Sequence, residues 1–183
     1  GICVACQGVP TLDSLALNNK IVTLSFWARA GNDFSGTLTA QIYFGQGTDE
    51  DLLAGFSGAT SVSGAIGITP TWKKFTLTTF AGGFTQIGVY FAHQPAGTAG
   101  TNDFFEIALV QLAPSLPGDP FLYRGEAEEH ALCRRFYTVV NGTASMYGVT
   151  GSPNGYYGYH AFPVPMRTTP TLTIPAVLNM VAG

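Results

Sequence analysis

Three observations predict an all-β fold for this chain. Short runs in which apolar and polar residues alternate recur along its first two thirds. Glycine, asparagine, aspartate and proline punctuate those runs, and helical periodicity is almost absent from the 183 residues. A chain built this way buries one side of each strand, so it predicts a β-sandwich over residues 1–120, with a short helix and a partial β-rich module over 121–183.

The opening residues, from Gly1 through Cys6, read as a strand entered partway along, without a basic leader. Residues 20–30 give the clearest strand, with Val22, Leu24, Phe26 and Ala28 on one side and Thr23, Ser25, Trp27 and Arg29 on the other. Residues 37–44 repeat the scheme, setting Leu38, Ala40, Ile42 and Phe44 against Thr37, Thr39, Gln41 and Tyr43. Further strands are expected at 61–68, at 72–80 with Phe75 and Leu77 inward, at 85–92 with Ile87, Val89 and Phe91 inward, and at 103–112. Many short strands at regular spacing indicate a sandwich of the jelly-roll kind. Pro114, Pro117 and Pro120 end it, because proline feeds neither a ladder nor a helix interior.

Beyond that boundary, residues 126–136 predict the one helix. Glu126, Glu128 and Glu129 fall in its first turn and Arg134 and Arg135 in its last, as the helix dipole favours. Residues 136–183 return to strands and turns, and the distal module is expected to be incomplete at Gly183.

Composition narrows the function. Charged residues make up 10% of the chain, against about 25% in typical globular proteins, so the surface is largely neutral and rich in hydroxyls, suited to subunit packing and sugar contacts. A formal net charge of -3 supplies no cationic footprint for nucleic acid. No apolar stretch approaches the roughly 20 residues of a membrane-spanning helix. Cys3, Cys6 and Cys133 are too few, and odd in number, for a disulfide framework, which points to assembly in a reducing cytoplasm.

Three segments, in this order, resemble the C-terminal parts of tailed-bacteriophage fibre and appendage proteins. Residues 22–29 (VTLSFWAR), followed by Thr71 and Trp72, are similar to the jelly-roll, carbohydrate-binding-like domains found there. Residues 105–112 (FEIALVQL) and 120–124 (PFLYR) resemble the last strand and exit linker of that domain. Residues 128–137 (EEHALCRRFY) and 162–167 (FPVPMR), with Pro170, resemble the helix–strand junction and following strand of a distal fibre module. The chain departs from the pattern at Ala113 and Pro114, where an acidic residue and glycine are usual, and at Arg134, where glutamine is commoner. The resemblance implies a virion component; the cysteine usage adds assembly in the bacterial cytoplasm, and the lack of catalytic motifs adds the expectation of no enzymatic activity and no cofactor. The resemblance also implies a homotrimer that joins other virion proteins and recognises host-surface polysaccharide. A carbohydrate-binding module of a secreted glycosidase, a head-fibre or capsid-decoration protein, and a polysaccharide-depolymerising tailspike, whose parallel β-helix repeat this sequence does not show, are the alternative readings.

Sugars present an apolar face and polar edges, so their binders pair flat aromatics with amide, carboxylate or guanidinium groups. The non-core strand faces supply Trp27, Arg29, Gln41, Tyr43 and Tyr90, expected to form one glycan groove or one subunit interface. Tyr156, Tyr157, Tyr159 and His160, on a glycine-rich scaffold, are the second candidate, as tip contacts or as a packed strand.

Other chemistry is expected to be structural. The acidic run at Asp49, Glu50 and Asp51 lacks the spacing of a calcium loop. Cys3 and Cys6 lack a second ligand pair for zinc, and Cys133 is expected to be a buried helix contact. The segment around Ser57 falls short of a nucleophile elbow, and His93, His130 and His160 show no nucleophile partner. Asp103 and Glu106, the carboxylates weighed for glycoside cleavage, bracket a strand edge. Residues 141–143 match a glycosylation sequon by pattern and read as a turn.

Overall fold

A computed structural model describes residues 1–97, 100–114, 116–117, 119–139, 147–152, 155–159, 161–166 and 169–171. The chain divides into two units, Gly1–Leu122 and Tyr123–Gly183.

The first unit is an antiparallel two-sheet sandwich. Its elements are β1 (Cys3–Val9), α1 (Thr11–Leu15), β2 (Lys20–Ala30), β3 (Leu38–Gly45), β4 (Thr60–Ile66), β5 (Lys73–Ala81), β6 (Gln86–His93) and β7 (Phe105–Ala113). One sheet has the order β1-β6-β3-β4 and the other β5-β2-β7. Among the described strands of this unit, β3 and β4 alone are consecutive and paired in one sheet; the other connections cross from one sheet to the other, as in a jelly roll.

The alternation read from the sequence makes this core. Val22, Leu24, Phe26 and Ala28 of β2 face Leu38, Ala40 and Ile42 of β3 and Ile87 and Phe91 of β6, and all are buried. Phe26 sits centrally, 5.8 Å from Phe75 within its own sheet and 4.8 Å, edge to face, from Phe91 of the other. Each such side chain contributes about 1.5–3 kcal/mol by leaving water.

Two local features escape the period-two pattern. The five-residue helix α1 follows Pro10 and closes one end of the sandwich. Its buried Ser14 donates from Oγ to the Val9 carbonyl at 3.0 Å and accepts from the Ile87 amide at 3.1 Å, so no buried hydroxyl is left unpaired. Between Ser25 and Trp27 the β2–β7 register shifts, because Ser25 pairs with Gln111 but Trp27 with Ala108. Phe26 therefore faces two residues, and Leu109 takes a left-handed backbone, φ 50°, as a bulge requires.

In the second unit, α2 (Glu126–Arg134) carries the expected acidic first turn and Arg134 in its last turn. Arg124 Nη1 lies 3.2 Å from Glu129 Oε1. No residue of α2 is buried, and Cys133 is exposed. This corrects the expectation of a buried Cys133: Ala131 and Leu132 beside it are half-buried, and its own side chain faces outward. Strands β8 (Tyr147–Ser152) and β9 (Gly155–Tyr159) pair antiparallel, with Tyr157 opposite Val149 and Tyr159 opposite Tyr147. His160 and the sequon residues 141–143 lie outside the described residues.

Candidate functional site

The outer face of the three-stranded sheet is built in rows by its register. Arg29 pairs with Glu106 of β7, and Ala28 with Lys73 of β5, which brings Trp72, one residue earlier, opposite Arg29. The Arg29 guanidinium forms an ion pair with the Glu106 carboxylate and lies 5.1 Å from the centre of the Trp72 ring. In the next row Trp27 stands between Lys74 and Ala108. Trp27 and Trp72 are diagonal neighbours across β2 and β5, within reach of one another for side chains of this length. Both indoles are 37% exposed, so each keeps ring surface for a ligand.

Electrostatics tie Arg29 and Glu106 into one unit. Hydrogen bonding to Glu106 raises the Arg29 pKa, against a smaller opposing effect of burial. The same bond holds the Glu106 carboxyl below the usual carboxylate range. Beyond Trp27, a strap made of the end of the first unit bounds the face. Lys74 Nζ donates to the Asp119 carbonyl at 2.8 Å, Gln111 Oε1 accepts from the Leu122 amide at 2.7 Å, and the Leu116 amide donates to Asp119 Oδ2 at 3.2 Å.

Gln41, Tyr43 and Tyr90 lie elsewhere, on the outer face of the four-stranded sheet. Gln41 pairs directly with Tyr90 and with Ser63, and the Tyr43 and Tyr90 rings meet edge to face at 5.6 Å. Gln41 Oε1 is buried with no hydrogen-bond partner among the described residues. The β3–β4 loop folds back over the neighbouring row, where Leu52 and Phe56 rest on Gly8, Gly45 and Gly88.

The five residues expected to share one face are therefore split into two groups on opposite sides of the sandwich. Alternation separates inward from outward within each strand but does not say which sheet a strand joins. The sequence reading also left Trp72 out of the site, and the signal for it is the pairing of β5 with β2.

A third polar cluster lies between the sheets. His93, 1% exposed, places Nε2 3.0 Å from Asp103 Oδ1 and stacks on Phe34 at a ring distance of 4.2 Å. Asp103 also accepts from the Ser35 amide at 2.9 Å and the Ser35 hydroxyl at 2.5 Å, and these bonds, with a lesser one from His93, hold its carboxyl below the usual range. Ser35 Oγ accepts in turn from the Ala96 amide at 2.9 Å. The order is serine–aspartate–histidine, with the serine bonded to the acid and not to the base. His93 is thus not placed to take a proton from Ser35, and the cluster ties the β2–β3 loop to the β6–β7 loop at the end of β6.

Asp103 and Glu106 do not converge, since one is buried against His93 and the other sits on the outer face with Arg29. The acidic run is likewise committed. Asp49 exchanges hydrogen bonds with Thr11, Glu50 accepts from Ser57 and from Gln86, and Asp51 accepts from the Leu53 amide. Cys3 and Cys6 pair with His93 and Tyr90, the first on the inner and the second on the outer side of β1.

No family model matches the chain, and no curated protein matches it. Among solved structures, it is similar to the enzymatically active domain of tailspike protein 4 of bacteriophage CBA120, with a TM-score of 0.41 and 15% identity. The match covers 61% of this chain and 13% of that one. Because that tailspike domain is described as enzymatically active, the expectation that this chain lacks enzymatic activity is withdrawn.

Proposed function

We propose that this chain is part of a bacteriophage tail appendage, assembled as a homotrimer with other virion proteins in the host cytoplasm, that holds host-surface polysaccharide. The observation that carries the proposal is the pair of partly exposed indoles, Trp27 and Trp72, beside the Arg29–Glu106 pair on one sheet face. An indole offers a flat apolar surface to the C–H face of a pyranose, while guanidinium and carboxylate meet the ring hydroxyls as donor and acceptor. The ordered segments around Trp27, Phe105 and Glu128 support the appendage reading. Three weak sites on a trimer would gain two or more orders of magnitude through avidity.

The test uses the complete gene product. Light scattering after size exclusion gives its native mass, and affinity electrophoresis through host polysaccharide gives its retention. A trimer retarded by polysaccharide, with retardation lost in Trp27→Ala and Trp72→Ala proteins that remain trimeric, supports the proposal. Unchanged retention in both variants removes this face as the site, and a monomer removes the assembly.

A further inference from the structure

We infer that Glu106 sets the charge class of the ligand: by pairing with Arg29 it makes the two-tryptophan face selective for neutral sugars over acidic ones. The inference rests on the glycan reading of this face and goes beyond it by naming the ligand class and the residue that selects it.

A guanidinium beside exposed indoles would ordinarily favour a uronic or sialic acid, because its planar fork matches a carboxylate in two parallel hydrogen bonds. Here the Nε side of that fork is already bonded to a carboxylate. Arg29 bonds to Glu106, directly opposite it in the β2–β7 ladder, and its flat side lies over Trp72. A ligand carboxylate approaching Arg29 would meet the Glu106 charge first. The second cation of the face, Lys74, donates to the strap at Asp119, which brings its own carboxylate. Two cations and two carboxylates thus cancel on this surface. What remains for a ligand is indole surface with hydroxyl-scale donors and acceptors, which fits a neutral hexopyranose.

Both members of the pair are close to half-exposed, 41% and 40%, so Glu106 can be changed without opening the core. Glu106→Gln keeps the shape and a hydrogen-bond acceptor but removes the charge, which frees the Arg29 fork.

The test compares binding of the full-length protein to two defined probes, mannan as a neutral polysaccharide and polygalacturonate as an acidic one. The wild type should retain mannan at least tenfold more strongly than polygalacturonate, with retention that varies less than twofold between about 20 mM and 500 mM salt. Glu106→Gln should strengthen polygalacturonate binding about tenfold at low salt and lose that gain at high salt, so that the ratio of polygalacturonate to mannan retention rises only at low salt. A wild type that prefers the acidic probe, with binding lost in Trp72→Ala, would overturn the neutrality while leaving the glycan site standing. A Glu106→Gln protein with an unchanged preference would overturn the role of Glu106. Retention of neither probe by any of the proteins overturns the inference, and if host polysaccharide is also not retained, the glycan reading falls with it.

Discussion

Leu52 rests on Gly88: a Cβ built on that glycine would stand 2.7 Å from the Leu52 Cδ2 atom and 3.0 Å from the Gln7 carbonyl oxygen. Gly8, opposite Gly88 in the ladder, receives Leu52 and Phe56 at ordinary contact distance. The β3–β4 loop can pack on the outer sheet face because these positions have no side chains. Gly88→Ala should therefore destabilise the first unit by about 1–3 kcal/mol through overpacking. Leu52→Ala alone should cost about 2–5 kcal/mol of lost burial. In the double variant the costs should not add, since removing Leu52 relieves part of the clash. Urea unfolding of the four proteins measures the coupling, and strict additivity would mean that the loop does not press on Gly88.

Core and surface aromatics should separate sharply on the three-stranded sheet. Phe26 has no solvent exposure and touches rings of both sheets, whereas Phe80 at the edge is 64% exposed. Phe26→Ala should cost about 3–5 kcal/mol, and Phe80→Ala should stay within about 0.5 kcal/mol of wild type. Comparable losses in thermal melts of the two variants would show that Phe80 is covered in solution, as it would be at a subunit interface.

These two cases mark what the sequence made legible. Alternation placed β2, β3, β5 and β6, and put Phe26, Phe75 and Phe91 inward, because burial of one face of a strand forces period two. It missed α1, whose five residues are too short for helical periodicity and whose stability comes from Ser14 bonding to Val9 and Ile87. It joined Trp27 to Tyr43 and Tyr90 because strand faces were visible and sheet membership was not. Trp72 required register information, which depends on contacts between residues more than forty positions apart in sequence.

Acid should weaken the fold in a defined window. The carboxyls of Asp103, held by Ser35, of Glu50, held by Ser57, and of Glu106, held by Arg29, all ionise below their ordinary range when folded. The unfolded chain then binds more protons as pH falls past about 4–5, the ordinary carboxylate range, so stability is complete above it and declines as pH drops toward the folded values. Asp103→Asn should give a shallower loss of urea midpoint between about pH 5 and pH 3 than wild type. An equal slope in that variant would show that Asp103 titrates alike in the folded and unfolded chain.

The strap should come loose without unfolding the sandwich. Its Leu122 amide is held by the Gln111 side chain at 2.7 Å and its Asp119 carbonyl by Lys74 at 2.8 Å, contacts that reach it from the two edge strands β7 and β5. Each bond contributes about 0.5–1.5 kcal/mol, so Gln111→Ala should speed hydrogen exchange at Leu122 roughly three- to tenfold. The core strands β2 and β6 should keep their protection, because their buried residues do not depend on the strap. Exchange of both regions at one common, faster rate would mean that the strap and the sandwich open together. Since Lys74 pairs with Trp27 across the ladder, an opening confined to the strap would also widen the proposed glycan face on the Trp27 side. A Gln111→Ala protein should then bind a longer neutral oligosaccharide more tightly than wild type, while its affinity for a disaccharide stays the same.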